Sequence, residues 1–169
     1  MTIAEKLPFN HKVLVTAALL GGMAEIVWVI IYTSFSNIPA ATIATQISKT
    51  FIPDITANTA TITSGILIHF ILSIILLFVI AKPLLARLPG HWKTTPLLVL
   101  LSTLLLVAIW TFNFMLLLPL VNPEFVTLLP YTVSLASKVM FGIAMGLTLG
   151  WSCRYGRRNI PDNIAITQQ

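Results

Sequence analysis

Charge is what this sequence has least of. Only 9% of its residues are Asp, Glu, Lys or Arg, against about 25% in ordinary soluble domains. Long apolar runs take their place, and mean hydropathy reaches +0.93. Such a composition excludes a conventional soluble domain and points to an integral membrane protein. Cysteine is nearly absent too. Cys153 stands alone, which excludes an internal disulfide framework and any CxxC metal or redox motif. The chain also lacks HExxH, GxSxG, a Walker loop, a paired-carboxylate metal motif and an arginine-rich span. These absences lean away from an enzyme. The net charge of +5 does not mark a nucleic-acid binder, because the basic residues lie just outside the apolar runs, where membrane topology places them.

Four runs are long enough to cross roughly 30 Å of hydrocarbon, which takes about 20 apolar residues. They are Val13–Phe35, Ile62–Ala81, Thr95–Leu118 and Tyr131–Ser152. The first could mimic a signal peptide with a cleavage site after Ala24, but IVWVIIYTSF continues the run directly and predicts an uncleaved span. The expected architecture is an all-α membrane protein: one domain over residues 1–169, a four-helix bundle with the lipid bilayer as its main partner. A polar tail follows over 159–169.

Lysine and arginine set the expected orientation. Lys6, Lys12, Lys82, Arg87, Lys93, Arg154, Arg157 and Arg158 fall on one side, and only Lys49 falls on the other. The positive-inside rule then makes both termini cytoplasmic. The inner loop RLPGHWK is short enough to predict an antiparallel hairpin of spans two and three. Both outer loops carry helix signals. In the first, Asn37 and Pro39 read as a cap and an early-turn proline, and Ile43, Ile47 and Phe51 recur every four residues. In the second, Asn122, Pro123 and Glu124 repeat the pattern. Short helices on the outer face are therefore expected.

Lys138, inside SLASKVMFG, is the costly residue. A lysine at the centre of a span costs about 2.5–3.5 kcal/mol on insertion scales. Steps of four lead from it to Gly142, Gly146 and Gly150, two overlapping GxxxG patterns, and back to Ser134. That stripe is expected to face a neighbouring helix at close range. Each other span carries one polar residue of consequence: Glu25, His69 and Asn113. At about 1.5 Å of rise per residue, all four lie roughly 7–15 Å below the outer boundary. They are expected to meet in one layer, with Glu25 pairing Lys138, His69 and Asn113 adding hydrogen bonds, and Tyr32, Trp110 and Ser134 lining the site.

Two readings of this layer stand side by side. Polar side chains between spans can simply hold helices in register. Intramembrane ionisable groups can instead bind a polar ligand or pass a proton, and histidine ordinarily titrates near neutrality. The leading expectation is a permease-like or ligand- or proton-binding membrane protein. The alternatives are an accessory subunit of a larger membrane complex, or a membrane enzyme. A homo-oligomer is compatible with each. No cofactor is expected: a bis-histidine haem needs a partner for His69 at its depth, and His11 and His91 are at the inner edge. No metal site is expected either, since Glu25 and His69 fall short of the three or four ligands required.

The strings GGMAEIVWVIIY, IHFILS and NFMLLLPLVNPEFVTLLPYTVSLASK resemble those of a group of small four-span bacterial inner-membrane proteins, over residues 15–150. The resemblance implies a bacterial inner membrane and carries over no activity and no catalytic or binding residue.

Overall fold

In the computed structural model, which describes residues 10–158, four helices are long and apolar enough to cross a membrane. They are α1 (His11–Ser34), α3 (Thr59–Ala86), α4 (Thr95–Val121) and α6 (Tyr131–Arg158). Two short helices join them at one end: α2 (Ala40–Phe51) between α1 and α3, and α5 (Pro123–Leu128) between α4 and α6. The chain is thus a small multi-pass integral membrane protein, an all-α bundle with helices in its loops. The end that carries α2 and α5 is the cap end, and the opposite one the terminal end. The tail expected over 159–169 lies outside the described residues.

Asparagine caps explain where α1, α3 and α5 begin. Asn10 accepts from the Val13 amide at 2.9 Å, and Asn58 from the Thr61 amide at 2.9 Å. Asn122 accepts from Phe125 at 3.2 Å, with Pro123 in the first turn of α5. Each satisfies an amide that the helix itself leaves open. Asn37 departs from expectation: Pro39 occupies the N-cap position of α2, and no side chain caps that helix.

Spans α3 and α4 are longer than the hydrophobic runs suggested. The apolar runs end at Ala81 and Leu118. Each span instead passes through a π-helical turn, Leu77–Ala81 and Asn113–Leu117, and continues as α-helix with Pro83 or Pro119 in its first turn. Proline lacks an N–H and clashes with the carbonyl four residues back. A wider turn just before it moves that carbonyl aside and lets the helix go on.

The helix α6 is the hub of the bundle. It packs along α4 on one side and α1 on the other, while α3 packs on α1. The glycine stripe explains the α4–α6 contact. A Cβ on Gly142 would meet the Thr103 backbone, one on Gly146 the Val99 backbone, and one on Gly150 the Thr95 side chain. On α1 the small residues Ala17, Ala18, Gly21 and Gly22 are buried. The terminal half is therefore closed around Leu14, Leu77, Leu98, Met145 and Leu149, none more than 1% exposed. Spans α3 and α4 are consecutive and antiparallel, yet they share little packing. The hairpin expected from their short loop meets at the terminal end, where Ala81 and Leu85 of α3 share a buried cluster with Leu98 and Leu106 of α4.

Candidate functional site

Toward the cap end the four spans part around a cavity of about 600 Å³. Its volume falls within the range of small-molecule sites, about 300–1,000 Å³. All four intramembrane polar residues, Glu25, His69, Asn113 and Lys138, contribute to its wall, as do Trp110 and Ser134. Apart from Thr50 and Ser137 the rest is apolar, with Ile26 and Val29 from α1, Ile66 from α3, Phe114 from α4 and Ile47 from α2 among it.

The Lys138 ammonium donates to Glu25 Oε1 in an ion pair between α6 and α1. Glu25 is 8% exposed. The same Oε1 lies 3.2 Å from the Ser137 hydroxyl, whose single proton is also within 2.7 Å reach of the Ser134 carbonyl. Glu25 Oε2 is buried and has no hydrogen-bond partner among the described residues. Lys138 uses one N–H on Glu25, which leaves two of an ammonium's three donors for other acceptors.

His69 and Asn113 share the cavity with the pair but do not bond to it. His69 Nε2 lies 3.3 Å from the Gly22 carbonyl on α1, a bond that requires the proton on Nε2. Gly22, without a Cβ, lets the imidazole come over the backbone. In the neutral ring, Nδ1 is then the acceptor. Asn113 opens the π-turn of α4 and makes no side-chain hydrogen bond among the described residues. π-turns recur at functional sites, where they re-aim a side chain inside a helix. Trp110 Nε1–H donates to Ser134 Oγ at 2.9 Å, which fastens α4 to α6 beside the cavity. Tyr32 does not line the cavity. At about 100° per residue, the lining residues Ile26, Val29 and Ile30 lie to one side of Glu25 on the helical wheel and Tyr32 to the other.

The cap is built from residues whose role the sequence hid. A Cβ on Gly65 would run into the Ala44 carbonyl, so the glycine lets α2 lie directly on α3. Ser48 Oγ donates to the Thr61 carbonyl at 2.8 Å. From the other side, Asn122 Nδ2 reaches the Gln46 carbonyl at 3.1 Å and Thr50 Oγ1 at 3.0 Å. One asparagine thus caps α5 with its oxygen and holds α2 with its nitrogen. Trp110 stacks on Phe114 with centroids 5.4 Å apart, and Phe125 of α5 meets Phe114 at 6.3 Å. Trp28 Nε1–H donates to the Val133 carbonyl at 3.0 Å and ties α1 to the cap end of α6. Ser137 and Asn122 each left a signal in the sequence, as a hydroxyl next to Lys138 and as a second polar function on a cap.

Among the described residues, no three His, Cys, Asp or Glu side chains gather in one place. The arrangement can therefore hold a ligand by hydrogen bonds and apolar contact, with donors from Lys138 and Asn113 and acceptors from Glu25, His69 and Asn113. Fold and cavity together define a class: a four-span membrane protein with a ligand-sized, polar-based cavity inside its bundle. No protein-family model, curated protein or solved structure matches the chain.

Proposed function

We propose that this protein binds a small ligand within the membrane, in a permease-like manner, at the cavity that contains Glu25, His69, Asn113 and Lys138. One observation carries this reading. The cavity of about 600 Å³ is bordered by four polar residues from four different spans, whereas a register lock needs only a directly bonded pair. Asn113, half-buried in the cavity wall, makes no side-chain hydrogen bond among the described residues, which leaves its amide to a ligand.

The test is native mass spectrometry of the protein released from nanodiscs. Wild type should carry an adduct of constant mass. Asn113→Phe, which fills the cavity without touching the Glu25–Lys138 pair, should lose it while keeping its thermal midpoint. A wild-type protein without any adduct, or an adduct retained by Asn113→Phe, overturns the reading.

The setting we propose is the bacterial inner membrane, with both termini cytoplasmic and the cap end facing outward. The support is the crowding of eight of ten Lys and Arg residues at one side of the spans. Reporter fusions at positions 90 and 165 should read as cytoplasmic, and fusions at 50 and 125 as external. A periplasmic signal at 165 reverses the orientation.

A further inference from the structure

We infer that the cavity takes a neutral single-chain amphiphile with a hydroxyl-type head, and that this molecule enters sideways from the bilayer between α3 and α4. The inference rests on the reading of the cavity as a ligand site, and adds the chemical class and the route.

The route follows from which walls are closed. The cap end is covered by α2, fastened to α3 through Gly65 and the Ser48–Thr61 bond and to the α4–α5 junction through Asn122. The sides are closed where α6 packs on α1 and α4, and where α3 packs on α1. Between α3 and α4 there is little packing. The lining residues Ile66 and Leu72 of α3 and Leu117 of α4 remain 39%, 43% and 44% exposed, so the space they border is open. Spans exposed in this way face hydrocarbon, and an apolar-sided opening there admits a chain from the lipid phase more readily than a hydrated solute.

The class follows from the charges. Glu25 and Lys138 form a closed pair of zero net charge. A charged head beside it would bring an uncompensated charge into a low-dielectric bundle. A hydroxyl brings none. It can accept from an unused N–H of Lys138 and donate to the side-chain oxygen of Asn113, which lines the cavity and has no partner among the described residues. The volume suits one chain with a small head, because sites of this size hold drug-sized molecules and not a two-chain phospholipid.

The experiment uses the full chain in phosphatidylcholine nanodiscs with three photoreactive probes, hexadecanol, hexadecanoate and hexadecylamine, each bearing a diazirine on its chain. Cross-links are mapped by mass spectrometry. Hexadecanol should label cavity positions such as Ile66, Leu117 and Phe114 in a saturable way. It should do so at least about tenfold more than either charged probe, a ratio set by little more than one unfavourable charge contact. Ile66→Trp, which narrows the opening but leaves the polar residues alone, should slow cavity labelling by hexadecanol while labelling of lipid-facing Leu100 stays unchanged. Equal or stronger cavity labelling by a charged probe overturns the head-group class. Unchanged labelling in Ile66→Trp overturns the route. Failure of all three probes to label the cavity, with a native adduct still lost in Asn113→Phe, overturns this inference and leaves the ligand-binding reading standing. Loss of both overturns the two together.

Discussion

The two halves of this bundle are made from the same four helices and differ in what those helices present to each other. Toward the terminal end the facing residues are small or aliphatic. Gly142, Gly146 and Gly150 bring the α6 backbone against α4, Ala17 and Ala18 line α1, and one continuous core forms around Leu98, Met145 and Leu149. Toward the cap end the facing residues become large or polar. Trp28 and Trp110 tie α6 to α1 and α4 by single hydrogen bonds, and the buried cluster shrinks to Trp110, Phe114 and Leu118. Lipid offers no hydrophobic drive for helices to associate, so close van der Waals packing has to hold such a bundle. The tight half can supply that hold, and this lets the other half stay open. In that open half, the Glu25–Lys138 ion pair between spans α1 and α6 sits beside a cavity.

The largest effect is expected where the open half depends on charge. Glu25→Gln or Lys138→Met each leaves the other group charged and unpaired, and each should destabilise by as much as ~3–5 kcal/mol. The double mutant leaves no orphan charge and should recover much of that loss in a detergent unfolding cycle. Strictly additive losses would show that the two groups do not act as a pair.

Next comes the tight half. Gly146→Leu places a side chain against the Val99 backbone and the Leu98 carbonyl, neither of which can swing away. Overpacking of this kind costs about 1–3 kcal/mol, and backbone contact should put this variant at the upper end. Leu147, the next residue, is 51% exposed. Leu147→Ala should shift stability by no more than about 0.5 kcal/mol. Similar thermal midpoints for the two variants would mean that the glycine stripe does not carry the packing.

A smaller and more local effect is expected at the cap. Asn122→Ala removes the α5 cap and the Nδ2 contacts to Gln46 and Thr50 of α2. A lost cap is worth about 0.5–2 kcal/mol. Amide exchange should rise across α2 while the amides around Met145 keep their protection. Uniform acceleration through both halves would erase the distinction between them.

Much of this was legible from residue types and spacing alone. The spans follow from run length, and the stripe from Lys138 to Gly150 follows from steps of four along α6. Lys138 and Glu25 come together because depth and facing are both properties of a helix sequence. What stayed hidden depends on how helices depart from ideal geometry or cross one another. The π-turns lengthen α3 and α4 and start one of them at Asn113, although Pro83 and Pro119 were in view. His69 bonds to a backbone carbonyl that glycine exposes, and not to the charged pair. Tyr32 misses the cavity because the opening lies toward Ile26 and Val29 and not straight above Glu25. The cavity itself comes from α3 and α4 sharing little packing, and spacing within one helix carries no record of that.

The contrast between an open half and a closed half can be measured with one reagent. In a Cys153→Ala background, a single cysteine is introduced by Asn113→Cys in the cavity or by Met145→Cys in the closed core, where Met145 is 1% exposed. Both are treated with N-ethylmaleimide, which crosses membranes, in native vesicles. The open-cavity account predicts that the Asn113→Cys protein is modified at least about tenfold faster, a difference equivalent to only ~1.4 kcal/mol of opening free energy. Equal rates at the two positions would contradict it.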